Sequence, residues 1–194
     1  MGSTKTPVYW LTNLLIGDGS INFQVNTLDA ETLVFLADEA EKKNPDTAIK
    51  LLNEYTKDPK LAAKQKFKIS KNISDDAKRE QLLVSIYQDV NKNPGKQFDG
   101  YEEVSLDMGI LYYKKNSFRP AVEALSSFLQ NHAQRDEKRA EGLYYMGKSY
   151  LKLKDNDNAV KNYMELLESV PNSVYASAAR TELEEIQWRK SLTR

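Results

Sequence analysis

The chain contains no cysteine. Disulfides, thiolate metal sites and cysteine nucleophiles are therefore excluded. It has one histidine, His132 in "QNHAQR". A catalytic base needs a positioned partner and a metal site needs several ligands, and no H-E-x-x-H or equivalent is present. Net charge is missing too: 28 basic residues balance 28 acidic ones in 194 residues. That removes bulk attraction to nucleic acid or an anionic membrane, and nucleic acid is not expected as a partner. No apolar run is long enough to span a bilayer. The most apolar, Val8–Ile16, is broken by Thr12 and Asn13.

Phosphate loops are absent as well. "GDG" at 17–19 lacks the G-x-x-x-x-G-K-[ST] order. "DNDN" at 155–158 begins like a calcium loop but lacks the glycine at its sixth position, so a turn with an N-cap is expected. Carboxylate pairs such as Glu102–Glu103 and Asp75–Asp76 fall at helix starts, where the macrodipole explains them. No metal, no cofactor and no enzymatic activity are expected.

What is present is helical periodicity. From Leu28 onward apolar residues recur at three and four, and Pro45, Pro59, Pro94–Gly95 and Pro171 fall between segments. The pattern predicts helices at 29–43, 46–56, 59–70, 74–92, 100–115, 118–131, 136–153, 156–169 and 173–190. Asn72–Ser74, Asn156 and Asn172–Ser173 read as N-caps. Residues 1–27 differ. "VYWLTNLLI" and "INFQV" flank the turn signal "GDGS", which predicts a hairpin or irregular arm. Such an arm must pack on its own helices or on a second copy of the chain, giving a homodimer. The opening "MGS" reads as a tag remnant (residues 1–3), which leaves open whether a signal or lipid anchor stood upstream. Residues 28–194 form the helical domain.

Within that domain a spacing occurs twice. Gly109, Tyr112 and Ala121 are separated as Gly147, Tyr150 and Ala159 are. Glycine inside a helix costs about 0.5–1 kcal/mol relative to alanine, so its repetition predicts close approach of another helix. The unit Ala140–Pro171 carries Leu143, Met146, Gly147 and Tyr150 on one helix, then Ala159, Tyr163 and Leu166 on the next. It resembles the tetratricopeptide repeat, departing at Leu166, where that family prefers alanine. The unit Glu102–Ala133 resembles it less well, with Ser105 at a Trp or Leu position and Ala133 in place of proline. Ala37, Ala40, Ala48, Leu52, Tyr55 and Pro59 fit with one residue deleted. The helices near 59–70 and 74–92 fit only as a degenerate pair with Ala77 as the small residue.

The resemblance implies an all-α, right-handed array of antiparallel helix hairpins, with first helices lining a concave groove that binds another protein or peptide. The implied partner-binding residues are Leu106, Ile110 and Tyr113 from one first helix, and Tyr144, Lys148, Leu151 and Lys152 from the next. The Lys and Asn clamp that some members use for C-terminal carboxylates is lacking, because Lys148 stands where it wants Asn. The alternative is that the chain's own arm covers this stripe. A small-molecule-binding or transport-associated repeat protein is a further alternative. The last segment, "NSVYASAARTELEEIQWRK", resembles repeat ends in bacterial envelope proteins. It predicts a capping helix with Val174, Ala178, Thr181 and Ile186 inward and Glu182, Glu184 and Glu185 outward. A periplasmic or cell-envelope location follows from that resemblance, with the cytoplasm as the alternative. An N-terminal anchor would add membrane association. Lys57–Lys71 holds six lysines and one aspartate, a solvated face or a docking patch for an acidic partner.

Overall fold

A computed structural model describes residues 30–42, 44–56 and 58–192. Among the described residues the chain is all-helical, in two compact units that meet between Asp99 and Gly100. The arm expected at 1–27 lies outside the described residues.

The first unit contains α1 (Ala30–Glu41), α2 (Pro45–Tyr55), α3 (Pro59–Ser70) and α4 (Asp76–Lys92), then a 3₁₀ turn at Pro94–Lys96. Proline at the first helical position is tolerated because its missing N–H has no intrahelical use there. In α2 and α3 it follows a side-chain cap. Asn44 Oδ1 accepts from the Asp46 N–H at 2.9 Å, and Asp58 Oδ1 accepts from the Lys60 and Leu61 N–H groups at 2.9 and 3.2 Å. The cap of α4 is Asp75, not Asn72–Ser74. Lys71 and Asn72 are spent on closing α3, donating to the carbonyls of Lys68 and Ile69. Ala37, Ala40, Ala48 and Leu52 are buried as their pattern requires. Ala77 is exposed in the first turn of α4, and α3 supplies the small buried residues Ala62 and Ala63 instead.

The second unit contains α5 (Glu102–Lys114), α6 (Phe118–Asn131), α7 (Glu137–Lys152), α8 (Asn156–Ser169) and α9 (Ala176–Leu192). Helices α5 with α6, and α7 with α8, form the two tightest pairs. Both pairs turn identically. Asn116 and Lys154 are left-handed at φ 60° and 61°. The next N–H in each case reaches back five residues, Ser117 to the Tyr112 carbonyl at 2.8 Å and Asp155 to the Tyr150 carbonyl at 2.9 Å. This is the Schellman closure, which satisfies carbonyls left open at a helix end. Asp155, rather than Asn156, then caps α8 by accepting from the Asn158 N–H at 3.1 Å.

The glycines face neighbouring helices. A Cβ on Gly147 would lie 2.5 Å from the Tyr163 ring of α8, and one on Gly109 would lie 2.5 Å from Leu125 of α6. A third close approach was not anticipated. A Cβ on Gly142 would meet the Phe128 ring of α6 at 2.9 Å. Bulk at Phe128 is thus matched by the absence of a side chain on the following hairpin. Size is exchanged across the contact so that close packing is kept.

The inward stripe of α9 is Ala176, Ala179, Leu183 and Ile186. Val174, expected inside, is 79% exposed, and Thr181 is exposed. The helix starts at Ala176 because Ser173 closes a turn before it, its Oγ accepting from the Tyr175 N–H at 3.1 Å. Ile186 is buried as expected.

Candidate functional site

The inner face of the second unit is built from the sides of α5, α7 and α9 that point away from α6 and α8. On α7, Gly142, Leu143, Gly147 and Ser149 are buried. The opposite side, by the 3.6-residue period, carries Glu141, Tyr144, Tyr145, Lys148 and Lys152.

Tyrosines dominate this face. The Tyr113 and Tyr145 rings meet edge-on at 5.3 Å, Tyr145 meets Tyr144 at 5.7 Å, and Tyr144 meets Tyr175 at 5.3 Å. Such tilted pairs suit the ring quadrupole. Underneath, Tyr144 lies 6.1 Å from Tyr163, which is fully buried. The Tyr175 hydroxyl donates to Glu141 Oε1 at 2.8 Å. Those of Tyr113, Tyr144 and Tyr145 carry no hydrogen bond among the described residues. Burial, then Glu141, raises the Tyr145 phenol above its usual range.

Two ion pairs lie on this face. Lys148 Nζ lies 3.5 Å from Glu182 Oε1 and 5.7 Å from the Tyr144 ring centroid. Burial works against the Lys148 charge, but Tyr113, Tyr144 and Glu182 outweigh it and hold the amine above the usual lysine range. Glu103 of α5 binds Lys138 of α7 at 2.5 Å. A cleft of about 220 Å³ between α7 and α9 is lined by Lys148, Leu151, Lys152, Glu182, Ile186 and Arg189, among others.

The expected partner-binding residues therefore divide. Tyr113, Tyr144, Lys148, Leu151 and Lys152 come together on or beside this face. Ile110 is half-buried at its edge, packed against the core. Leu106 is 3% exposed and belongs to the core with Leu125 and Phe128, so it is not available to a partner. Tyr145, Tyr175 and Glu182 belong to the face and were not expected there. Tyr145 was legible: Glu141, Tyr145, Lys148 and Lys152 form their own i, i+4, i+7, i+11 stripe. Tyr175 was not, because it precedes α9 rather than lying within it.

Other candidates resolve into structure. His132 is 5% exposed, ends α6, stacks on Phe128 at 4.8 Å, and lies between Glu102 (3.3 Å) and Asp136 (2.9 Å). It ties the ends of α5 and α6 to the start of α7. The lysines of the 57–71 stretch do not share one face, and Lys57 lies outside the described residues. Lys68 pairs with Asp38 at 2.9 Å, Lys71 covers the Phe67 ring at 4.5 Å, and Lys66 is half-buried. Among the described residues no three His, Cys, Asp or Glu side chains converge as a metal site requires, and no helix is long and apolar enough to cross a membrane.

Paired helices, with glycines at close helix contacts and an open face on alternate helices in the second unit, define a helix-hairpin repeat architecture. One stretch carries a family match: residues 141–173 match the tetratricopeptide repeat. Among solved structures the fold is similar to that of the MamA RS-1 ArsTM double mutant, with a TM-score of 0.54 at 13% identity, over 83% of this chain and 96% of that one. No curated protein matches the sequence.

Proposed function

We propose that the second unit is a non-catalytic interaction module that receives a segment of a partner protein on the face of α5, α7 and α9. One observation carries this reading: half-buried tyrosines pack on one another and on buried Tyr163, while three of their hydroxyls bond no described residue. Fixed aromatic groups with a polar end are the residues that dominate protein interfaces. Tyr113, Tyr144 and Tyr145 are the anchors, with Ile110, Lys148, Leu151 and Lys152 around them. The small-molecule alternative is weaker, because the cleft beside the face is lined by charges rather than apolar walls.

The test is affinity for a partner isolated from the native cell. Tyr144→Ala should weaken binding about thirtyfold, roughly 2 kcal/mol. Circular dichroism of the same variant checks that it is folded. If folded Tyr113→Ala and Tyr144→Ala variants both bind like the parent, the partner uses another surface. A cell-envelope setting, an upstream anchor and dimerisation through residues 4–26 rest on the sequence alone. Fractionation of cells making the full-length protein, and sedimentation after deletion of 4–26, test them.

A further inference from the structure

We propose that the first unit holds a binding site for a single carboxylate, in a cleft centred on Lys66. The proposal is independent of the inner face of the second unit.

The cleft has a volume of about 270 Å³ and is formed by α2, α3, α4 and the 3₁₀ turn that follows them. The sequence makes room for it. Ala62 and Ala63 stand one turn before Lys66 on the same side of α3, and their short side chains leave space beside the lysine. Leu52 of α2 and Ile86 of α4, both buried, supply apolar walls. Thr56, which ends α2, lines the same cleft.

Two donors here have no acceptor. Lys66 is half-buried and makes no hydrogen bond or ion pair, yet its amine is reachable from solvent. It differs in this from the other lysines of α3: Lys68 pairs with Asp38, and Lys60 and Lys64 are exposed. The Thr56 hydroxyl is buried without a partner. A charge withdrawn from water is costly unless it is paired. Burial accordingly pushes the Lys66 amine below its usual range, against the pull of Asp89 and with the repulsion of Lys96. Asp89 is not the missing partner, because it is held by Lys96 at 3.2 Å.

Charge selects the ligand. The charged groups lining the cleft are Lys66, Lys96 and Asp89, which leaves one positive charge. A carboxylate neutralises it. A phosphate dianion would leave negative charge in excess beside Asp89, and a cation would face two amines. The volume lies below the roughly 300–1,000 Å³ of drug-sized sites, so the group that fits has few carbons. It is a small free acid or the acidic side chain of a partner. Apolar walls reduce the screening of the resulting ion pair, which strengthens it over one on an open surface.

The experiment titrates the full chain with butyrate, butyramide, methyl phosphate and a glutamate capped at both ends, whose only charge is its side chain. Amide shifts of α2, α3 and α4 are followed by NMR. Butyrate and capped glutamate should shift them saturably, and butyramide should not. Lys66→Gln should weaken carboxylate binding about tenfold or more. Lys64→Gln, on an exposed position of the same helix, should change it less than about twofold. Far-UV circular dichroism confirms that each variant is folded. Capped glutamate binding at least as tightly as butyrate assigns the site to a partner's side chain, and tighter butyrate binding assigns it to a free acid. Absence of a saturable shift with either carboxylate, or one that persists unchanged in folded Lys66→Gln, overturns the proposal. Tighter binding of methyl phosphate than of both carboxylates overturns the choice of ligand.

Discussion

Gly147 and Tyr163 are a single packing device. The ring fills the space that a side chain at 147 would take, and the tyrosine has no exposure at all. Replacing Gly147 with alanine improves helix propensity by about 1 kcal/mol. It also forces a methyl group to within 2.5 Å of a ring that is closed in by its neighbours. Overpacking of this kind costs about 1–3 kcal/mol and should win, so Gly147→Ala should lower the urea midpoint. A raised midpoint would show that the ring has room to move. Tyr163→Phe should do the opposite. The Tyr163 hydroxyl is buried without a partner, and burial, aided by Glu182, pushes its ionisation far above the usual range. Leaving such a group unsatisfied costs on the order of 1–3 kcal/mol. Removing it should raise the midpoint, and a large loss of stability would mean that the hydroxyl has a partner in solution. The repeated glycine was legible in the sequence because its spacing to Tyr and Ala recurs. Gly142 was not, because its contact with Phe128 crosses from one hairpin to the next and has no equivalent earlier in the chain.

At the scale of elements, each predicted helix has its counterpart, because proline and short polar turns punctuate a clear three-four period. The caps were less legible. Asn and Ser were read as the caps near 72–74, 156 and 172–173, yet aspartates hold α3, α4, α7 and α8. A carboxylate accepts the first-turn N–H groups and also opposes the macrodipole. Asp136 shows the consequence. Burial alone would raise its carboxyl, but the Arg139 N–H and the His132 ring outweigh that and hold it below the ordinary range. A group depressed in the folded state stabilises the fold above its unfolded value, about 3.9. That contribution disappears as pH falls through the lower folded value. Stability should therefore decline below about pH 4. Asp136→Asn should flatten the decline, measured as urea midpoints from neutral to acid pH. Parallel curves for parent and variant would mean that this cap does not titrate with folding. The capping helix α9 shows a second limit. "ASAA" is small at every position, so composition could not choose its inward side. Contact with α8 and the second unit's core puts Ala176 and Ala179 inward.

For the whole molecule, the fold class was readable from repetition and the site only in part. Leu106 was taken for surface because it shares spacing with Ile110 and Tyr113. Its burial depends on Leu125 and Phe128 of the next helix, which no pattern within α5 reveals. Tyr175 joins the face only because its hydroxyl reaches Glu141 across the interval between α7 and α9. The central claim is that alternate helices of the second unit bind while the intervening ones support. Hydrogen–deuterium exchange of the chain with and without its isolated partner tests this most directly. Binding should slow exchange in α5, α7 and the start of α9, and leave the outer sides of α6 and α8 unchanged. Protection confined to α6 and α8, or to helices of the first unit, would contradict the account.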